Sequence, residues 1–313
     1  PSLQRYRAAL QPFFSPSAMR DIEPAIREFA GQCIDAFIER GECDLVTELA
    51  NPVPSMTALK LIGFDPVDWH DFAGPMHQMS YSPDGSDERR QALADIAALD
   101  RRIEDTINAR RASPCDDAIS ALIGHREDGV AFDEQELHGL VKMLLFGGLD
   151  TTMASTSNAL LFLGRHPEAR RRLVEDPDLL PGAIEELLRY EAPVHAFARR
   201  VTTDTRVGDQ AISAGERVYM LWASANRDPQ QFDEPDTVDF ARRPNRHLTF
   251  GIGGHRCLGA PLARLEMKIM LEAVLDRIPD FVIPEAGVRH PTNVTIIWGR
   301  TSLPTTFTPG KRN

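Results

Sequence analysis

One cysteine lies in a loop whose composition suits a metal-bound thiolate. The segment 250–259, FGIGGHRCLG, places Cys257 after several glycines and before a pattern of helical spacing. Backbone N–H groups directed at sulfur stabilise a thiolate ligand, and glycines let the chain pass close enough to supply them. The N-terminus of the following helix is predicted to lower the pKa of the Cys257 thiol. The alternative is a structural cysteine, buried after a Gly-rich turn.

A second candidate site interrupts the longest helical pattern. Gly147 and Gly148 precede Asp150 and Thr151 within it, although each glycine costs about 1 kcal/mol of helix stability relative to alanine. The missing side chains make room for a flat cofactor, and the Thr151 hydroxyl can bond back to a preceding carbonyl. An acid and a hydroxyl beside such a groove can relay protons to bound dioxygen. The local features fit a helix-packing notch equally well.

Helices must position most of these residues. Apolar spacing predicts helices at about 17–40, 54–63, 66–80, 87–111, 133–163, 178–191 and 258–277. The fifth of these opens on a predicted capping box, Asp133 with Glu136. Alternation predicts short strands between 201 and 219, and others near 281–283, 294–298 and 303–307. The pattern predicts a mostly-α fold with small sheets, as a single domain over 1–313.

The composition excludes several classes of protein. The chain has 313 residues, is 42% hydrophobic and 26% charged, and carries a formal net charge of −11. This negative charge opposes non-specific binding to nucleic acid. The chain contains no run of about 18 apolar residues, so the sequence predicts no membrane span. The four cysteines have no disulfide or zinc spacing, which suits a reducing, cytoplasmic location.

The cysteine segment resembles the FxxGxxxCxG signature of cytochromes P450. Its continuation, APLARLE at 260–266, is typical of the soluble, bacterial, camphor-hydroxylase-like members. The resemblance implies a haem b cofactor (iron protoporphyrin IX), whose iron takes Cys257 as its proximal metal ligand. It further implies that Phe250 and Gly259 bind the cofactor, with Phe250 packed over the sulfur, and that His255 contacts a haem propionate.

The interrupted helix resembles the oxygen-activation helix of the same family. The resemblance implies that Gly147 lies against the cofactor and that Asp150 and Thr151 are the catalytic acid–alcohol pair. Because both residues are present, the chain differs from the peroxide-dependent branch.

A third motif, Glu186-Leu-Leu-Arg189, matches the family's ExxR motif. By itself, such a pair on one helical face stabilises a helix by only about 0.2–0.5 kcal/mol. The resemblance implies a structural ion pair with Arg242 as its third partner. It also aligns Arg199 with a propionate-binding arginine.

The start of the chain both matches and departs from the family. Arg7 fits the arginine of the HxxxR motif, which contacts a propionate, but Leu3 stands where the family has histidine. Family members also extend well upstream of this helix. The resemblance therefore implies a P450 fold that lacks its N-terminal part, including strands of the main sheet and a loop over the substrate.

The implied reaction is insertion of one oxygen atom of O₂ into a small, largely apolar organic substrate. By resemblance, the substrate pocket includes Met143, Leu144, Gly147, Val194, Ala196 and Ile296. Electrons would come from NAD(P)H through a reductase and a ferredoxin-type donor.

An arginine cluster around Cys257 is the predicted docking face for that donor. Its members are Arg242, Arg243, Arg246, Arg256 and Arg264. A solvated loop is the simpler interpretation of the charges alone.

Two alternatives to a monooxygenase remain at this point. One is a haem-binding pseudoenzyme, since an uncapped pocket admits water and wastes electrons as peroxide. The other is a haem-free fragment that packs with a separate chain.

Overall fold

The computed structural model describes residues 2–291 and 296–312. Helices account for most of it. In chain order they are α1 Ser2–Leu10, α2 Pro16–Phe37, α3 Pro52–Ile62, α4 Trp69–Tyr81, α5 Asp87–Ala112, α6 Ala118–Gly124, α7 Glu134–Arg165, α8 Pro167–Glu175, α9 Leu180–Tyr190, α10 Trp222–Ala225 and α11 Ala260–Arg277. None of these helices is long and apolar enough to cross a bilayer.

The strands of the described residues form three antiparallel pairs. They are β1 Glu42–Asp44 with β6 Pro304–Thr306, β2 Ala196–Arg200 with β5 Arg217–Leu221, and β3 Thr205–Val207 with β4 Gln210–Ile212. The register of the central pair places Ala196 opposite Leu221 and Arg200 opposite Arg217. Each pair is a short ribbon beside the helices, so the helices supply most of the interior.

The longest helix, α7, crosses the whole interior. Its 32 residues span about 48 Å. The first half packs with α1, α5 and α6 through Leu137, Leu140 and Leu145, and the second half packs with α2, α9 and α11 through Leu160 and Leu163. Because α7 joins both apolar clusters, its position is determined by contacts along its entire length.

The predicted mostly helical fold is confirmed. The capping box also forms, because Asp133 Oδ1 accepts the Glu136 N–H at 2.8 Å and Glu136 Oε2 accepts the Asp133 N–H at 3.0 Å. Three helices, α6, α8 and α10, lie outside the sequence prediction. They have only seven, nine and four residues, which is too short for a clear periodic signal.

The predicted strands are only partly observed. The region 201–219 contains β3, β4 and the start of β5, whereas β2 begins earlier, at Ala196. Near 281–283 and 294–298 the chain makes only isolated bridges, at Val282 and Ile297, and residues 294 and 295 lie outside the described part.

Candidate active site

The Cys257 loop ends directly at the start of α11. The Cys257 N–H donates to the Phe250 carbonyl at 2.7 Å, which closes the loop, while the N–H groups of Gly259 and Ala260 bond to the sulfur. The residue is exposed. The sulfur therefore combines an open side with two backbone donors, which suits a thiolate ligand.

The pKa of the Cys257 thiol departs from the sequence prediction. Desolvation by the surrounding protein raises this pKa, and it outweighs the opposing effect of the two N–H groups and of Arg264 and Arg7. The prediction of a lowered pKa is therefore wrong for the free thiol. It considered only the helix terminus and omitted the cost of placing an anion among protein atoms.

Phe250 is held by an ion-paired arginine. The guanidinium of Arg264 lies 4.4 Å from the centre of the Phe250 ring and donates to both oxygens of Glu185, at 2.6 and 2.8 Å. His247 Nε2 lies 3.1 Å from the same carboxylate. Burial raises the pKa of Glu185, but the bonds from Arg264 and His247 outweigh it and lower the pKa to about 2. These contacts tie the cysteine loop to α9 and α11.

Of the three residues predicted to meet haem propionates, Arg199 and His255 are exposed and Arg7 is partly buried. Arg7 donates to the Arg256 carbonyl at 2.8 Å, so α1 reaches the cysteine loop. Arg199, in β2, donates only to its neighbour Ala198, and His255 ends the turn before Cys257. In residues 2–291 and 296–312, none of the three has a carboxylate partner within ion-pairing distance. The guanidinium groups of Arg7 and Arg199 are therefore not neutralised by a carboxylate and are available to an anionic ligand.

One face in the middle of α7 is open, whereas the second half of the helix is largely buried. Met143, Gly147 and Thr151 follow each other at intervals of four residues, which places them on this face. Met143 and Gly147 are exposed, and a Cβ added to Gly147 would meet no atom within 4 Å. Thr151 Oγ1 donates to the Gly147 carbonyl at 3.0 Å, the bond predicted from the sequence. This open face (hereafter the α7 stripe) has room for a flat ligand.

Asp150 does not share the stripe with Thr151. Its side chain is buried and contacts α4, where Ser80 Oγ donates to Asp150 Oδ2 at 3.0 Å and His77 Nδ1 is paired with Asp150 Oδ1. Successive residues of a helix are about 100° apart. The two predicted catalytic residues therefore have different surroundings.

A buried acid behind the stripe was not singled out by the sequence analysis. Glu266, in α11, is 2% exposed, and its side chain bonds to those of Thr152 and Thr57. Desolvation raises its pKa well above the ordinary value, despite these bonds. The signal was present in the sequence, because Glu266 falls within the buried apolar spacing of Leu262, Ile269 and neighbouring residues.

The predicted ion pair is fully enclosed. Arg189 donates to both oxygens of Glu186 at 2.8 Å, and Arg242 Nε lies 3.0 and 3.1 Å from the same two atoms. Asn245 and the Asp239 N–H complete the shell of the carboxylate. The other N–H groups of Arg189 bond to backbone carbonyls. The cluster joins α9 to the irregular segment before the cysteine loop.

Some of the predicted pocket residues come together. Val194 bridges Ile297, which brings Ala196, the first residue of β2, near the segment that carries Ile296. This segment continues to α7, where a Cβ on Gly299 would lie 2.7 Å from the Cβ of Ala154. The segment that carries Gly299 and helix α7 are distant in sequence, and they thus meet about one turn beyond Thr151.

The remaining pocket residues lie on α7. Met143 is on the stripe, whereas Leu144 packs in the same apolar cluster as Leu258, the residue after the cysteine. Helix α7 and the cysteine loop therefore contact a common apolar cluster.

The donor set fits a haem. Among residues 2–291 and 296–312, no group of three or more His, Cys, Asp or Glu side chains could hold a metal ion. An iron at Cys257 would need its other ligands from a macrocycle, as in haem. The open position at Gly147 is consistent with the shape of haem, and the unpaired arginines Arg7 and Arg199 are consistent with its acidic side chains.

The chain is similar to known proteins along most of its length. Residues 88–294 match the sequence model of the family described as cytochrome P450. A steroid C26-monooxygenase from Mycobacterium tuberculosis (strain CDC 1551 / Oshkosh) is 38% identical over 304 residues, which cover 95% of this chain and 81% of that protein.

Solved structures agree with the sequence comparison. The bacillaene polyketide synthase cytochrome P450 PksS of Bacillus subtilis 168 aligns with a TM-score of 0.91 at 32% identity, covering 98% of this chain and 79% of that one. CYP109E1 from Bacillus megaterium, in complex with corticosterone, aligns with a TM-score of 0.90 at 30% identity, covering 98% and 84%.

Proposed function

The chain belongs to the cytochrome P450 family, and we propose that it holds haem b through Cys257 and oxidises a small, largely apolar organic molecule. Haem b is the cofactor of this family, and the chain is a monooxygenase of it, like the M. tuberculosis relative. One observation carries the assignment of the ligand: the sulfur of Cys257, an exposed residue, receives two backbone N–H groups at the start of α11. The named monooxygenase relatives favour an enzyme over a haem-binding pseudoenzyme.

The residues around Cys257 would hold and orient the cofactor. When bound, haem supplies the activation of dioxygen and the insertion of one oxygen atom. Cys257 would ligate the iron, and Arg7, Arg199 and His255 would bind the propionates. Arg264, fixed by Glu185, would keep Phe250 and the loop in place beside the sulfur.

The α7 stripe would direct protons towards the bound oxygen. Thr151 offers a hydroxyl beside the space left by Gly147, and its bond to the Gly147 carbonyl sets the orientation of that hydroxyl. Asp150 would deliver protons to this region after its side chain turns away from α4. Thr151 would hold a proton at the site, and Asp150 would replace that proton after it has been used.

The substrate class follows from the apolar residues and from the relatives. Met143, Leu144, Val194, Ala196 and Ile296 would contact the substrate, and all five side chains are apolar. Relatives act on a steroid, belong to polyketide biosynthesis or bind corticosterone. A polycyclic or polyketide-like apolar molecule would suit such a pocket.

Electrons would arrive through a ferredoxin-type donor and an NAD(P)H reductase. Two members of the arginine cluster already form ion pairs within the protein: Arg242 pairs with Glu186, and Arg264 pairs with Glu185. The exposed members, Arg243, Arg246 and Arg256, would meet the acidic donor. The four free cysteines suit a reducing cytoplasm.

An absorption spectrum tests the proposal directly. The purified protein is reduced, exposed to carbon monoxide and compared with Cys257→Ser. We expect a strongly red-shifted Soret band in the native protein and its loss in the variant. Cys115→Ser is the matched control, because Cys115 is also an exposed free thiol and its loss should leave the band unchanged. A native protein without that band would contradict thiolate ligation.

A further inference from the structure

Four side chains form a closed ring of contacts beside the cysteine loop. Arg264 donates to both oxygens of Glu185, and its guanidinium lies 4.4 Å from the centre of the Phe250 ring. His247 Nε2 lies 3.1 Å from Glu185 Oε2, and the centres of the His247 and Phe250 rings are 6.0 Å apart. Phe250 belongs to the loop itself, since its carbonyl accepts the Cys257 N–H. The position of Arg264 is therefore linked to that of the sulfur.

The hydrogen bonds of His247 specify its tautomer. Its Nδ1 lies 3.4 Å from the backbone nitrogen of Thr249, and a backbone N–H can only donate. Nδ1 is therefore the acceptor, and the hydrogen of the neutral ring lies on Nε2, which faces Glu185. Because the His247 side chain is only 3% exposed, little water competes for this bond. His247 thus acts on Glu185 as a neutral hydrogen-bond donor.

Glu185 in turn fixes the guanidinium of Arg264. Burial raises the pKa of Glu185, but the bonds from Arg264 and His247 lower it to about 2, so the carboxylate is ionised at neutral pH. Its two parallel bonds to Arg264 hold the planar guanidinium in one orientation. The Arg264 side chain is 32% exposed, and without Glu185 this long side chain would extend into solvent.

The charge of Arg264 acts on the sulfur. Desolvation raises the pKa of the Cys257 thiol, and the positive charges of Arg264 and Arg7 are among the effects that oppose it. They do so because a nearby cation favours the anionic thiolate. In a haem held through Cys257, the addition of one electron to ferric iron makes the iron–thiolate unit more negative by one charge. The same cation therefore favours the reduced form.

We propose that His247 and Glu185 are positioning residues that hold Arg264 beside the cysteine loop, where its charge raises the reduction potential of the haem iron. This inference rests on the proposed function. Arg264 supplies the charge, Glu185 fixes the orientation of Arg264, and His247 fixes that of Glu185. The iron accepts one electron at a time from the donor, and the higher potential makes this transfer more favourable.

The reduction potential tests the role of the charge. The substrate-free holoprotein is titrated with dithionite, and the Soret band follows the fraction of reduced iron. We expect Arg264→Gln to decrease the equilibrium constant for reduction about tenfold, which is about 59 mV for one electron. Arg264→Lys retains a positive charge and should stay close to the native potential. An equal decrease in both variants would overturn the role assigned to the charge.

The sign of the change in Glu185→Ala separates positioning from simple electrostatics. Removal of a negative charge near the iron would by itself raise the potential. We expect Glu185→Ala to lower the potential instead, because Arg264 is released into solvent and its charge is screened there. A raised potential would show that Glu185 does not hold Arg264 in place, and would overturn the proposal.

His247 should act only through Arg264. His247→Leu removes the donor and is expected to lower the potential in the native background but not in the Arg264→Gln background. His247→Gln retains an N–H donor and should keep the native potential. A decrease by His247→Leu that persists in the double variant would refute the assigned route.

A second ion pair on the same helix provides the control. Glu272, also in α11, accepts from Arg27 at 3.0 Å, and it lies about 12 Å further along the helix than Arg264. Glu272→Gln changes the net charge as Glu185→Ala does and should leave the potential unchanged. A native protein without the red-shifted carbon monoxide band would contradict the proposed function and this inference with it. An intact band with equal potentials in all variants would overturn this inference alone.

Discussion

The side chains of Asp150 and Thr151 diverge, although the two residues are adjacent on α7. Asp150 pairs with His77 under α4, whereas Thr151 donates to the Gly147 carbonyl on the open stripe. A proton relay between them therefore requires the acid to move. In this arrangement the Thr151 hydroxyl lies on the open stripe, whereas the Asp150 carboxyl would supply protons from its buried position beside α4.

Removal of the Thr151 hydroxyl should separate electron use from product formation. Thr151→Ala is expected to retain NADPH oxidation but to release most of the reducing equivalents as hydrogen peroxide, because the proton donor on the stripe is lost. Thr151→Ser keeps the hydroxyl and should retain coupling. Peroxide and product are measured per NADPH consumed. Equal coupling in native and Thr151→Ala proteins would contradict the assigned role.

Two glycines should respond oppositely to substitution. Gly147→Leu is expected to fold, because a Cβ there meets no atom within 4 Å, but to bind less haem because the side chain fills the space beside the stripe. Gly299→Ala should instead lower the free energy of unfolding, since its Cβ would lie 2.7 Å from that of Ala154. Circular dichroism, urea unfolding and haem content distinguish the two. Full haem content in Gly147→Leu would argue against this location.

Loss of Glu186 should be severely destabilising. Glu186→Ala leaves the buried guanidinium of Arg189 without its carboxylate, at a cost of about 3–5 kcal/mol. Glu285→Gln removes an exposed pair with Arg165 and should cost less than about 1 kcal/mol. Urea unfolding of the two variants measures the contrast. Similar losses in both would mean that burial does not govern the energy of these pairs.

Glu266 should make the native protein less stable as the pH rises. Above about pH 4.5 its carboxyl ionises in the unfolded chain, whereas desolvation keeps it protonated in the folded protein. The folded state then binds more protons, so the free energy of unfolding falls with pH until the raised pKa is passed. Glu266→Gln should remove this slope between pH 5 and 8. Urea unfolding across that range checks it, and identical slopes would contradict a neutral Glu266.

Charge reversal at an exposed arginine should slow reduction by an acidic donor. Arg246→Glu is expected to decrease the rate of electron transfer from ferredoxin several-fold at low ionic strength and less at high salt, because surface charges are screened. Arg171→Glu, an exposed change on α8, should have little effect. Stopped-flow reduction measures both. Equal slowing by the two variants would indicate a non-specific effect of net charge.

The sequence predicted the elements whose signals are local. The α7 capping box and its apolar spacing lie within one segment, and the bond from Thr151 to Gly147 joins residues one turn apart. The ExxR pair, Glu186 with Arg189, is likewise three residues apart. Short-range geometry in a helix is nearly invariant, so residue types at these spacings were enough to predict the contacts.

By itself, the sequence determined the fold class, the family and the candidate ligand Cys257, because spacing within a segment carries that information. Only the tertiary structure decided the partner of Asp150, since His77 lies 73 positions earlier and follows no periodic relation to it. It also decided that burial raises the pKa of Glu266 and that of the Cys257 thiol. Desolvation sums over every neighbouring atom, and those neighbours come from helices that are distant in the chain.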